Sequence, residues 1–292
     1  MIILNYNQIK VTCEFIESTK KLTYKNYEII LVDNASKENP TAIITQNYPD
    51  VKLIVNKENL GFTGGNNVGI KAAKGDYYFV VNNDTEVTED LLERLLEPFD
   101  SDKTVGVVSP KIHYFSDPTI LQYAGFTEIN PFTGRNKSIG DKEEDTGQYN
   151  TPGYTAYAHG AAMLLKREVV EKAGSLADIF FIYYEELDWS ARIKRAGYNI
   201  YYQPTALIYH KESITMGKES AIKAYYHNRN RVLFMRRNST TIQLAFFLFF
   251  FTFAVTPKTI LKYLMKGQFE HLKNFFRGIS WNLRTTSVAS LS

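Results

Sequence analysis

Short runs of branched and aromatic residues recur through the first third of the chain, and three of the four close on a cluster of Asn and Asp. Ile2–Asn5 runs into Asn5-Tyr6-Asn7, Tyr27–Val32 into Asp33-Asn34-Ala35-Ser36, and Tyr77–Val81 into Asn82-Asn83-Asp84, with Val51–Val55 as a further run between them. The intervening segments carry helical spacing; from Gln8 to Leu22 the apolar positions Ile9, Phe15, Ile16 and Leu22 would share a buried face. Strands alternating with helices at this interval form βαβ units, so the fold class is α/β with a mainly parallel sheet flanked by helices. A parallel arrangement brings the C-terminal strand ends to one edge, where open α/β sheets bind ligands. Asn5, Asp33, Asn82, Asn83 and Asp84 would stand along that edge.

Composition narrows the class. Of 292 residues, 44% are hydrophobic and 22% charged, which excludes a disordered tail and a polytopic membrane protein. Cys13 is the single cysteine, so neither a disulfide framework nor a cysteine zinc cluster can form. Met1-Ile2-Ile3-Leu4 runs straight into Asn5-Tyr6-Asn7 without a basic, long apolar leader, and the expected compartment is the reducing cytoplasm. Charge is divided unevenly. Residues 211–292 hold 13 Lys/Arg against 3 Asp/Glu, whereas residues 1–210 hold 21 against 28. An acidic body with a basic, aromatic tail suits a catalytic unit joined to a segment that meets an anionic surface. Nucleic acid is not the expected partner, because no helix-turn-helix, zinc-finger or aromatic-basic sheet motif accompanies the charge.

Further along, Asn59 to Asn67 reads as a glycine-rich turn entering a helix near Val68–Ala73, and lacks the spacing of a dinucleotide fingerprint or a P-loop. Asp84 either holds a hard cation or caps a helix over Thr85–Leu96. Tyr114–Tyr154, polar and rich in Gly and Pro, reads as a long loop beside the site. Tyr157–Leu165 is expected as a strand, and Ile200–Tyr202 and Ala206–Tyr209 as two short strands flanking Pro204. An aromatic, strand-like run over Phe180–Tyr184 leads to Glu185-Glu186-Leu187-Asp188 at a helix start. Such an acid cluster is either a solvated first turn or the seat of a general base with a raised pKa. Glu185 and Asp188 share a helix face and Glu186 points elsewhere. His210 follows the last strand.

Taken in order, Asn5-Tyr6-Asn7, Val32–Ser36, Asn59-Leu60-Gly61-Phe62, Asn82-Asn83-Asp84, Glu185–Trp189, Arg192, Gly197-Tyr198 and His210 resemble the family 2 glycosyltransferases of GT-A fold, in the rhamnosyltransferase-like branch, over roughly residues 1–235. The resemblance implies that Asp33 reads the pyrimidine of a UDP- or dTDP-sugar, with Asn5, Asn34, Asn59, Gly61 and Asn66 around the nucleotide. It implies an Asp-x-Asp element at Asn82-Asn83-Asp84, in which Asn82 replaces the first acid, leaving Asp84 and His210 to hold Mg²⁺ or Mn²⁺. It implies a catalytic base at Glu186, with Glu185 and Asp188 as alternatives, and an acceptor wall at Gly160-Ala161-Ala162. The implied reaction is inverting transfer of a sugar, with rhamnose as first candidate, to a glycan or lipid-linked glycan of a surface polysaccharide. A glycoside hydrolase also pairs carboxylates, yet needs no nucleotide pocket. A noncatalytic sugar-nucleotide-binding or scaffold protein of the same fold, or a membrane adaptor, would share much of the pattern.

The tail divides the chain into a catalytic domain over 1–215 and a helical region over 216–292. His227–Arg237 reads as a basic amphipathic helix whose Arg-Asn-Arg stretch resembles one found in many of these transferases. Leu244–Val255 holds six phenylalanines in 12 residues, too short an apolar run for a bilayer. With Lys258, Lys262 and Lys266 on one face, it is expected as a helix in the membrane interface or a re-entrant pair hinged at Pro257; otherwise it packs on the catalytic domain or on a second subunit. The expected location is the inner face of the cell membrane, attached peripherally.

Overall fold

The computed structural model of the protein describes residues 1–211 and 220–286; the boundary expected at residue 215 lies outside them. Strands β1 (Ile2–Asn5), β2 (Ile29–Asp33), β3 (Val51–Val55) and β4 (Tyr77–Asn82) alternate with helices α1 (Ile9–Thr19), α2 (Thr41–Asn47) and α3 (Gly61–Ala72). There follow β5 (Thr85–Val87), α4 (Leu91–Ser101), β6 (Val105–Tyr114), β7 (Asp117–Tyr123), β8 (Gly153–Tyr154), β9 (Ala162–Lys166), α5 (Arg167–Ala173), α6 (Glu185–Arg195) and β10 (Asn199–His210). The described sheet has the order β3-β2-β1-β4-β9-β6-β10-β5, with β7 on β6 and β8 on β10. β1 pairs in parallel with both β2 and β4, so the chain reverses direction across the sheet at β1 and leaves a crevice at its C-terminal end.

Alternate residues of the central strands enter two cores. Ile3, Leu31, Phe79 and Val81 pack with Phe15, Leu95 and Phe99 on one face. Ile2, Tyr78 and Val80 pack with Ile70, Val169, Trp189 and Ile193 on the other. Both faces are covered, which is why these strands read as unbroken apolar runs.

Several local expectations give way to tertiary contacts. Asn59 to Asn67 is no extended turn, because α3 already starts at Gly61. Its glycines weaken a helix intrinsically, yet a Cβ on Gly65 would stand 2.3 Å from Leu4 Cδ1, so α3 gains close approach to β1. Thr85–Val87 is strand rather than helix, since β5 pairs antiparallel with the end of β10, His210 opposite Thr85; Asp84 therefore caps no helix. The stretch Tyr114–Tyr154 contains β7 and β8 and is held to β6 by Asp145, which accepts from Lys111 Nζ at 2.8 Å and contacts His113 Nε2 at 2.9 Å. The strand expected over Tyr157–Leu165 begins only at Ala162. The two short strands around Pro204 are one strand, β10. The register jumps from Gln203–Pro110 to Leu207–Lys111, and the resulting bulge houses a proline that cannot donate to the ladder.

At the C-terminal end, α7 (Ala221–Asn238), α8 (Thr241–Phe250), α9 (Thr256–Met265) and α10 (Phe269–Arg284) follow. α7 is part of the body: Leu233, Phe234 and Met235 join Tyr157, Phe180, Leu187, Phe247 and Phe275 in a third core. Between α8 and α9 the helix does not hinge at Pro257. A π-turn over Phe251–Val255 takes up the missing proline donor, with Thr256 N–H and Oγ1 both donating to Phe251 O. Thr241–Met265 is thus one helical run of 25 residues, long and apolar enough to cross a bilayer by length and composition. Phe246, Phe249, Phe253, Leu261, Leu264 and Met265 are exposed along it.

Candidate active site

Above the C-terminal ends of β1 and β4 lies a cavity of about 380 Å³ lined by Asn34, Asn59, Gly61, Asn82, Asn83, Asp84 and His210, with Tyr6, Gln122, His159, Phe181, Tyr183 and Lys223 completing the wall. Seven residues singled out in the sequence therefore meet in one place. Asn34 organises the nucleotide-side wall. Its amide donates to Asn59 Oδ1 at 2.8 Å and Gly61 O at 3.0 Å, while its Oδ1 accepts from Leu60 N–H at 3.1 Å. Gly61 holds φ +73°, and a Cβ there would meet the Phe181 ring at 2.5 Å, so this position admits only glycine.

Three expected residues stand behind the wall instead. Asp33 is buried with both oxygens engaged: Oδ1 accepts from Asn5 Nδ2 and Ser36 Oγ, each at 2.6 Å, and Oδ2 from Ser36 N–H at 3.0 Å. Asn5 in turn accepts from Thr12 Oγ1 at 2.8 Å, and Thr12 accepts from Asn83 Nδ2 at 2.8 Å. A buried polar chain thus links the ends of β1, β2 and β4. Asn66 is also buried and donates to Phe62 O within its own helix.

Asp84 and His210, 126 residues apart in sequence, are brought together by the β5–β10 pairing: His210 Nε2 lies 3.1 Å from Asp84 Oδ1. His210 Nδ1–H donates to Gln122 Oε1 at 2.7 Å. That bond directs the lone pair of a neutral imidazole from Nε2 towards the carboxylate, and two electron-pair donors at this distance call for a proton or a cation between them. One carboxylate and one imidazole, with Gln122 orienting the ring, suit a divalent ion whose remaining ligands come from a diphosphate. No group of three or more His, Cys, Asp or Glu side chains gathers as a self-sufficient metal site among the described residues. His159, absent from the sequence-level candidates, stacks on Phe126 and accepts from Ala161 N–H at Nδ1; burial, then the nearby His210, push its pKa down to about 3. No spacing pattern marked His159 or Gln122, since each reaches the site through sheet topology.

The acidic cluster separates into distinct roles. Asp188 is fully buried and saturated. It accepts from Arg237 Nε at 2.8 Å, Arg192 Nε at 3.0 Å and Asn238 Nδ2 at 3.0 Å. Burial alone would raise its pKa, but these donors more than offset it and hold the carboxyl below the usual range. Asp188 therefore ties α6 to α7 and has no free lone pair for proton transfer. Glu185 and Glu186 are the opposite case, each with Oε2 sealed from solvent and no hydrogen-bond partner. Burial, reinforced by the neighbouring Glu186, raises Glu185 well above the carboxylate range, and burial pushes Glu186 up to about 7. Gly160 faces Glu186 at ordinary contact distance, whereas Ala161 and Ala162 are buried in the core.

The aromatic run before α6 is an irregular, strained loop rather than a strand, with Phe181, Tyr183 and Tyr184 at φ 66°, 70° and 71°. Its carbonyls are gripped from α7. Asn230 Nδ2 donates to Phe180 O, Ile182 O and Tyr183 O at 3.0, 2.7 and 2.8 Å, and Arg229 Nη2 donates to Ile179 O at 2.8 Å. The Arg-Asn-Arg stretch thereby sets where the two glutamates begin.

A mixed, mainly parallel sheet with a polar crevice at its switch point, closed by an acid–imidazole pair, defines a sugar-nucleotide transferase fold of GT-A type. The backbone is similar to GalNAc-T7 with UDP, GalNAc and Mn²⁺ (TM-score 0.64, 17% identity, 80% of this chain and 47% of that one). It is also similar to the mannosyltransferase PcManGT of Pyrobaculum calidifontis in complex with GDP-Man and Mn²⁺ (0.58, 16%, 98% and 75%). The Glycosyl transferase family 2 profile matches residues 1–174, more than half of the chain, and the chain belongs to that family. Among curated relatives, N-acetylglucosaminyl-diphospho-decaprenol L-rhamnosyltransferase of Mycobacterium tuberculosis is 23% identical over 242 residues, 76% of this chain and 78% of the relative. The low-salt glycan biosynthesis hexosyltransferase Agl10 of Haloferax volcanii is 27% identical over 214 residues, 70% and 66%.

Proposed function

We propose that this chain is an inverting glycosyltransferase that moves a sugar, rhamnose as first candidate, from a UDP- or dTDP-linked donor to a glycan or lipid-linked glycan acceptor. It would act at the cytoplasmic face of the membrane in surface-polysaccharide synthesis. The observation that carries this reading is Glu186, half-buried at the start of α6, with its Oε2 sealed and unpartnered, its pKa pushed up by burial to about 7, and its place three residues after Tyr183, which lines the crevice containing Asp84 and His210. A group poised near pH 7 accepts a proton in its ionised form and releases it afterwards. Glu186 takes the proton of an acceptor hydroxyl as that oxygen forms its bond to the anomeric carbon. The bond from that carbon to the diphosphate oxygen breaks on the opposite face, and the nucleoside diphosphate leaves with the electron pair.

Asn34, Asn59 and Gly61 line the nucleoside end, braced from beneath by Asn5 and Asp33, and Asp84 and His210 stand where the diphosphate would lie. Bound there, Mg²⁺ or Mn²⁺ would neutralise charge building on the leaving group. Glu185, more deeply buried, is the alternative base. The mycobacterial relative, named for rhamnosyl transfer to a diphospho-decaprenol-linked sugar, supports the lipid-linked acceptor. The exposed apolar helix Thr241–Met265 supports membrane contact. The test is release of nucleoside diphosphate from a panel of UDP-, GDP- and dTDP-sugars, with and without membrane lipid extract and EDTA. Release from one donor, raised by lipid and lost with EDTA, is expected. Donor binding without turnover under any acceptor condition would favour a noncatalytic sugar-nucleotide-binding protein.

A further inference from the structure

Beside the nucleotide crevice lies a second cavity of about 640 Å³, formed where α7 meets the run Thr241–Met265. Arg135, Arg231, Lys258 and Lys262 line it together with His227 and Tyr184, and no carboxylate does so among the described residues. Four cations around one cavity repel one another, and none of them forms an ion pair with a carboxylate among the described residues. Arg231 is buried, 4% exposed, and its guanidinium donates only to Thr133 O among the hydrogen bonds found, while the Phe247 and Phe251 rings lie 5.8 and 5.3 Å away. Burial, then the positive Arg135, lower its pKa to about 10, so it stays charged at neutral pH, and it has no acid partner among the described residues. A desolvated cation without a counter-charge is costly unless a ligand supplies one.

The position of the cavity says what carries that anion. Tyr183, from the nucleotide crevice, stacks on His227, from the cationic cavity, with ring centroids 4.2 Å apart, so the two spaces share a partition. Tyr184, which also lines the cationic cavity, is the residue immediately before Glu185 and Glu186. Phe250, Ala254 and Val255 also line the cavity. These belong to the same helix that exposes Phe249, Phe253 and Met265, at 65%, 68% and 78%, to the surroundings. An anionic head in the cavity would therefore continue directly onto an apolar surface.

We propose that this cavity binds the phosphate or diphosphate of a polyprenyl-type acceptor lipid, with Arg231 at its floor and Arg135, Lys258 and Lys262 at its mouth. The inference rests on the transferase reading and adds the place where the acceptor is held. Its chemistry is charge pairing with phosphate oxygens, for which the arginine fork is suited. The same chemistry would serve the headgroup of an anionic bilayer lipid, and the two sources are separable.

The experiment uses the full chain in detergent micelles and an Arg135→Gln/Lys258→Gln variant, two exposed positions whose replacement leaves the cores intact. Binding of farnesyl diphosphate, inorganic pyrophosphate and UDP or dTDP is measured, together with binding to vesicles of phosphatidylcholine with and without phosphatidylglycerol. The expected result is at least a tenfold loss of farnesyl diphosphate affinity, with nucleotide affinity and thermal midpoint unchanged and pyrophosphate weaker than farnesyl diphosphate throughout. Equal affinity of wild type and variant for farnesyl diphosphate would overturn the proposal. Loss confined to phosphatidylglycerol vesicles would overturn it in favour of the bilayer headgroup, and loss of nucleotide affinity in favour of the donor diphosphate. Absence of nucleotide binding in the wild type would instead remove the transferase reading on which it rests.

Discussion

Replacing Glu186 by Gln separates function from stability in a way the structure makes quantitative. The carboxyl goes from its ordinary value of 4.5 in the unfolded chain to about 7 in the fold, driven up by burial. Between those values the unfolded chain has lost the proton and the folded chain still holds it, so wild-type stability falls as pH rises from 4.5 and levels off above 7. By linkage the loss due to this group grows by about 2–3 kcal/mol between pH 5 and pH 8.5. Gln cannot ionise, and whatever its buried amide costs is independent of pH and cancels from the comparison. Glu185 adds a similar slope to both proteins, eased in the variant because one of the causes raising it, the neighbouring Glu186 charge, is gone. Urea unfolding in one detergent at pH 5 and pH 8.5 gives the stability of each protein. The variant is expected to improve relative to wild type by about 2–3 kcal/mol between the two pH values, while sugar transfer is abolished and donor binding persists. A stability difference that stays constant with pH, or turnover that survives the substitution, would refute the assignment and move the base to Glu185.

Further outcomes follow from the same geometry. In the wild type, the pH dependence of the chemical step should rise through about 7, since only ionised Glu186 accepts the proton. Asp188→Asn removes the buried carboxylate charge that Arg192 and Arg237 both contact and should cost about 3–5 kcal/mol in chemical denaturation, a loss that donor saturation cannot restore. Asn230→Ala removes the amide that makes three hydrogen bonds to carbonyls of the loop before α6. It should cost roughly 2–4 kcal/mol and lower kcat more than it raises donor KM. Gln122→Leu frees the His210 ring, and the metal concentration for half-maximal activity should rise by about 10–100-fold, read by Mn²⁺ titration after EDTA treatment.

Local pattern carried much of the architecture. Strand–helix alternation from Ile2 to Val81 was legible because a strand buried on both faces must be apolar and a helix must repeat every 3.6 residues. The polar residues at the ends of β1, β2 and β4 were legible because such residues find no place inside those strands. The acid cluster at Glu185–Asp188 stood out for the same reason, but its division of labour did not. Whether a carboxylate is matched by Arg237 and Arg192, as Asp188 is, or left with one oxygen sealed and unpartnered, as Glu186 is, depends on side chains 4 to 49 residues away on α6 and α7. Asp84 meets His210 because β5 pairs with β10, and His159 and Gln122 arrive through the same sheet.

Where sequence reasoning erred, a long-range contact outweighed a local preference. Glycines entered α3 to let it close on β1, Thr85–Val87 found a strand partner in β10, and a π-turn carried the helix past Pro257. By itself the sequence determined which segments are strands and helices and which edge of the sheet is polar, since those follow from periodicity and solvation of neighbours along the chain. Only the tertiary structure decided which polar groups face one another, which charges lose their water and which find a partner, because solvation and pairing are properties of the space a residue occupies.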